Sequence, residues 1–103
     1  MSLLRLEIAW AAGGAPRLVS LVDNGWEILH EPRAARDHRL AAEWEADDTV
    51  PHTLIWQVLA ADGLTCALVT AAWQGGAPQV LAQAAATRAR WSELGVVRRR
   101  EVR

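Results

Sequence analysis

Residues 52–73, HTLIWQVLAADGLTCALVTAAW, constrain the fold more than any other stretch of the chain. Laid out as extended backbone, Leu54, Trp56, Val58 and Ala60 share one face and Ile55 and Leu59 the other, and only Gln57 interrupts the apolar run. Beyond Ala61-Asp62-Gly63, Leu64, Cys66, Leu68 and Ala72 share a face, opposed by Ala67, Val69, Ala71 and Trp73. An Asp-Gly pair supplies the positive φ angles of a tight hairpin. Strands apolar on both faces belong in the middle of a packed sheet. The stretch therefore reads as a central hairpin and as the core.

The remaining segments repeat the two-residue period. In residues 3–10, Leu4, Leu6, Ile8 and Trp10 alternate with Leu3, Arg5, Glu7 and Ala9, a half-buried strand. Gly13-Gly14-Ala15-Pro16 is a turn. Residues 17–22 and 26–30 form two strands about Asp23-Asn24-Gly25, and Asn-Gly is a strong hairpin signal. Pro32 ends the second of them. Across residues 38–46, Leu40, Ala42, Trp44 and Ala46 alternate with Arg39, Ala41, Glu43 and Glu45. That pattern favours a one-sided strand over a helix.

Residues 79–94 carry two readings. Pro78 and Gly95 suit the ends of a helix, with Val80, Ala84, Trp91 and Leu94 on one side. Against that, the order Trp, Gly-Gly-Ala-Pro, apolar run, Trp-x-x-Leu occurs at Trp10–Leu29 and again at Trp73–Leu94, which favours two further strands. Residues 96–102 form a last strand rich in arginine. About seven or eight strands with frequent turns and no βαβ rhythm predict one domain over residues 1–103, mainly β, an antiparallel β-sandwich. It is similar to immunoglobulin-like sandwiches in strand count, without the Cys-Trp-Cys spacing of true immunoglobulin domains.

Composition narrows the function classes. With 103 residues the chain can bury a core without staples, and its single cysteine, Cys66, allows no internal disulfide. No apolar run approaches the ~18 residues of a membrane span. Arg5 and Glu7 interrupt any signal-like start, so the expectation is a soluble cytoplasmic protein. Net charge is −1, but it is uneven: residues 88–103 hold six arginines and two acids. Arg98-Arg99-Arg100 could grip phosphates, yet in a chain of this net charge they point to a protein surface rather than to nucleic acid.

Six tryptophans and no Phe or Tyr make indole the aromatic of both core and surface. Trp10, Trp44 and Trp56 sit in phase with apolar neighbours and are expected inside. Trp26, just past the Asn-Gly turn, and Trp91, between Arg90 and Ser92, are the candidates for a ligand-stacking surface. His30, His38 and His52 with nearby acids match no metal spacing and read as solvated loop residues. Cys66 lies within an apolar strand, where a thiol is inert. No catalytic, metal or cofactor site is expected.

The leading expectation is a non-catalytic interaction module with a protein partner. The alternative is a carbohydrate-binding module using Trp26 and Trp91. The two-sided apolar strands also predict a homodimer with Ile55, Leu59, Val69 or Trp73 near the contact.

Overall fold

A computed structural model describes residues 1–14, 16–29, 33–34, 36–59, 68–83 and 97–102. Its strands are β1 (Ser2–Ala9), β2 (Arg17–Asp23), β3 (Trp26–Leu29), β4 (Arg33–Ala34), β5 (Arg39–Ala46), β6 (His52–Leu59), β7 (Leu68–Trp73), β8 (Gln79–Gln83) and β9 (Val97–Val102). They form an antiparallel β-sandwich. One sheet has the order β5-β1-β7-β8 and the other β3-β2-β6-β9, with the short β4 beside β3 on the same edge of β2. Among the described residues there is no helix.

The two inner faces follow the alternation in the sequence. Leu4, Leu6 and Ile8 of β1, Leu40, Ala42, Trp44 and Ala46 of β5, Val69 and Ala71 of β7 and Leu81 of β8 supply one layer. Leu18 and Leu21 of β2, Leu29 of β3, Leu54, Trp56 and Val58 of β6 and Val102 of β9 supply the other. A bulge between Leu18 and Ser20 breaks the period of β2, which is how residues three apart, Leu18 and Leu21, both turn inward. In a chain without Phe or Tyr, the bulk comes from Trp10, Trp44 and Trp56, and Ala42, Ala46 and Ala71 share their buried faces.

The 52–73 stretch is not a hairpin. β6 lies between β2 and β9, and β7 lies between β1 and β8 in the opposite sheet. Both strands are central, as two-sided apolar strands should be, but each is central to a different sheet. Alternation shows which residues share a face and says nothing about which strand lies alongside. The Asp62-Gly63 turn and Cys66 lie outside the described residues.

The two Gly-Gly-Ala-Pro segments also do different work. The first carries the chain from β1 to β2 in the other sheet, whereas the second closes a hairpin between β7 and β8. There Gly75 takes a φ of 78° and the Gly76 N–H donates to the Trp73 carbonyl at 2.8 Å. Residues 79–83 are strand, against the helical reading of that segment. Residues 84–94 lie outside the described set.

Val69 is fully buried between the sheets, so it is core and not an interface residue. It faces the same interior as Ile8, its cross-strand neighbour on β1. The water-facing side of β1 and β5 carries an ion-pair ladder, Arg39 to Glu7 at 3.7 Å, Arg5 to Glu7 at 3.1 Å, and Arg5 to Glu43. Such exposed pairs add little stability, and they mark that face as solvated.

Candidate functional site

The sandwich has an open edge between β3 and β5. There the inner-face pattern of β2 and β6 ends in polar residues, Asp23 after Leu21 and His52 before Leu54. Both are in phase with the core, so both point inward, 6% and 4% exposed. A buried carboxylate needs donors and a buried imidazole needs partners on each nitrogen.

Each requirement is met. Asp23 Oδ1 lies 2.6 Å from His52 Nδ1, and the Trp44 indole N–H donates to Asp23 Oδ2 at 2.8 Å. His52 Nε2 faces the Asp47 backbone carbonyl at 2.6 Å. A carboxylate faces one ring nitrogen and a carbonyl the other, each at 2.6 Å, and the Asn24 amide nitrogen stands farther off, 3.4 Å from Nδ1. The protonated ring donates to both of the close acceptors at once, whereas a neutral ring can donate to only one of them. Burial works against the charge, but the Asp47 carbonyl and the Asp23 carboxylate together outweigh it and hold the His52 pKa above its ordinary 6.5. The Trp73 ring packs edge-on against the imidazole, with centroids 5.2 Å apart.

Asn24 braces the site from the β2–β3 turn. Its φ is 48°, as a tight Asn-Gly turn requires. Its amide donates to the Pro51 carbonyl at 3.2 Å, and its Oδ1 accepts from the Thr53 N–H at 2.7 Å. The loop joining β5 to β6 is closed internally, for the Asp47 carboxylate accepts from the Thr49 hydroxyl at 2.6 Å and from its N–H at 2.9 Å. Those two bonds, the hydroxyl first, hold the Asp47 carboxyl below its usual range.

Above this network lies a cleft of roughly 410 Å³. Trp44, Asp23 and His52 lie at its base, and Met1, Trp26, Ile28, Glu45 and Val50 line it further out. Trp26 is 78% exposed, while Trp10, Trp44 and Trp56 are 6%, 8% and 1% exposed. Trp26 pairs with Asp23 across the turn, so it stands on the inner side of edge strand β3, where it is left largely uncovered. Met1 and Val50 are exposed beside it.

Of the stacking candidates, Trp26 is at the surface and Trp91 lies outside the described residues. Of the interface candidates, Ile55 is half-buried on the outer side of β6, Leu59 is the last residue of β6 opposite Arg17, and Trp73 packs against His52. Reading the histidines as solvated loop residues fails for His52, while His38 is exposed and packs against Trp10 with centroids 5.7 Å apart. Parity was the signal missed: His52-x-Leu54-x-Trp56 and Leu21-x-Asp23 extend the buried phase by one residue each. Among the described residues, no three His, Cys, Asp or Glu side chains converge as metal ligands. Among the described residues there is no helix long and apolar enough to cross a membrane. Comparison with protein-family models, curated proteins and solved structures finds no match to this chain.

Proposed function

We propose that the chain is a non-catalytic interaction module that engages a protein partner at the cleft between β3 and β5. The observation that carries this reading is Trp26, a large apolar side chain left 78% exposed where every other described tryptophan is buried or half-buried. Exposed indoles beside a cleft are common anchors of protein interfaces. Met1, Val50 and Ile28 extend the apolar surface, and Glu45 at its margin favours a partner segment that pairs an apolar side chain with a positive charge. Each Asp23 oxygen and each His52 nitrogen below the cleft already has a hydrogen-bond partner, which supports a structural role for them.

Selection of displayed peptides on the native chain, followed by affinity measurement of each binder on Trp26→Ala, tests the reading. Peptides that bind the native chain should lose at least about tenfold in affinity for the variant, as hot-spot truncation does. Binders indifferent to Trp26 would remove the cleft from consideration.

A second reading, carbohydrate binding, draws on the same exposed indole, since apolar sugar faces stack on such rings. Titration of tryptophan fluorescence with a glycan panel separates the two. A change with a sugar that Trp26→Ala abolishes would favour the carbohydrate. The further expectations, a cytoplasmic homodimer, rest on the net charge of −1, the single cysteine and the half-buried Ile55 and Val22 on the outer side of their sheet.

A further inference from the structure

We propose that His52 is a pH-operated latch: protonated, it ties the loop of residues 47–50 to Asp23 across the open edge of the sandwich; neutral, it lets that loop go and with it one wall of the Trp26 cleft. The regulatory consequence rests on the interaction reading above, whereas the latch itself does not.

The argument is one of donors and acceptors. Nδ1 faces Asp23 Oδ1 and Nε2 faces the Asp47 carbonyl, each at 2.6 Å. A neutral imidazole has one N–H. It keeps that proton toward the carboxylate, the stronger acceptor, and then presents a lone pair to the carbonyl oxygen of Asp47. Two lone pairs do not remain at hydrogen-bond distance, so this contact opens.

Other tethers decide what moves. Asn24 holds Pro51 and Thr53 through groups that do not titrate, so the far end of the loop stays put. The Asp47 carboxylate is bonded to Thr49 within the loop and moves with it. A remaining tether, from Ser2 Oγ to the Asp48 carboxylate, is exposed, so water competes for both of its ends. Residues 47–51 are all exposed, so no core contact resists their displacement. Val50 and Asp47 both line the cleft, which therefore widens when the loop leaves.

The described charged groups around the ring are few. β2 presents Asp23, the β5–β6 loop presents Asp47, and the amino-terminal ammonium acts on Asp47 from the side of β1. Glu45 of β5 lines the same cleft. β7 presents the apolar Trp73 edge, and β9 places Val102 opposite His52. The upward displacement of the His52 pKa agrees with the two-acceptor geometry.

The test is nuclear magnetic resonance on the native chain, without any partner, from about pH 5 to about pH 9, the span over which a histidine can change charge. The ¹⁵N signals of the His52 ring should show two protonated nitrogens at the acid end and one at the alkaline end. The Asp48, Thr49 and Val50 amides should shift and broaden with the same midpoint, while the Thr53 amide, held by Asn24, stays. In His52→Asn the shared midpoint should vanish. If the ring titrates while the loop amides stay still, or if the ring does not titrate in this span, the latch is wrong; the native-chain measurement decides this even if the variant does not fold. Trp26→Ala leaves every latch atom in place. Loss of partner binding in that variant with an intact titration therefore bears on the cleft alone, and the converse bears on the latch alone.

Discussion

Asp23 Oδ1 lies 2.6 Å from His52 Nδ1 with both side chains inside the sandwich, a buried acid–histidine pair joining β2 to β6. The two strands neighbour each other in the sheet, with Asp23 opposite Leu54. The pair makes stability depend on pH in a definite direction. The folded chain holds the His52 proton more tightly than the unfolded chain does, because its folded pKa is raised. Its contribution is therefore complete below about 6.5, the unfolded value, and is lost as pH climbs through the folded value. The urea midpoint should fall on going from about pH 6 to about pH 9. A midpoint that rises over this range would contradict the assignment.

The Trp44 indole N–H that donates to Asp23 Oδ2 should matter in its own right. Trp44→Phe keeps a ring on the inner face of β5 and removes the donor. A hydrogen bond to a buried charge is worth about 1.5–3 kcal/mol, and the variant should lose about that much in denaturant unfolding. Combined with Asp23→Asn, the losses should be smaller than their sum, because both changes act on one network. Full additivity would show that the carboxylate and the indole do not communicate.

How legible this was from the sequence differs by feature. Strand faces were legible, because alternation is a local property: Leu4, Leu6 and Ile8 are buried as the period in residues 3–10 requires. Asn24-Gly25 was legible because its turn chemistry is local too, and it does close β2 against β3. Partnership was not. Among the described strands, only β2–β3 and β7–β8 pair consecutive strands; the other pairings join strands separated by at least one element. Asp62-Gly63 looked as good as Asn24-Gly25, yet β6 and β7 part into different sheets. Asp23 and His52 stand 29 residues apart and looked like turn residues. Their pairing depends on β2 lying beside β6, which no local pattern states.

Gly25 offers a clean test of turn chemistry. Its φ is 87°, and a Cβ placed on it would meet nothing within 4 Å. Any cost of Gly25→Ala is therefore conformational and not steric crowding. A left-handed backbone costs an L-residue about 1–2 kcal/mol, and the variant should be less stable by that amount. Gly25→Asn should lose less, since Asn tolerates this region. Equal losses in thermal unfolding would place the strain elsewhere.

Self-association is expected through the outer side of the β2–β6 sheet, where Ile55 and Val22 are half-buried cross-strand neighbours. Sedimentation equilibrium should report twice the chain mass at micromolar concentration, and Ile55→Asp should return it to the monomer. A native chain still monomeric at ~100 μM, far above the affinity of a modest interface, would dismiss the dimer.

The contrast between Trp26 and Trp56 tests where binding and stability reside. Trp56 is 1% exposed in central strand β6, and Trp56→Ala would leave a cavity between the sheets. Large-to-small changes of this kind cost about 3–5 kcal/mol, against a total near 5–15 kcal/mol for an ordinary domain. Trp26 stands 78% in water, and Trp26→Ala removes almost no buried contact. Its unfolding midpoint should stay within about 0.5 kcal/mol of the native chain. Acrylamide should quench native fluorescence in two populations, an accessible one that shrinks in Trp26→Ala and a protected one that does not. A Trp26→Ala chain that unfolds as easily as Trp56→Ala would mean that the exposed indole supports the fold, and its value as a binding surface would fall with that result.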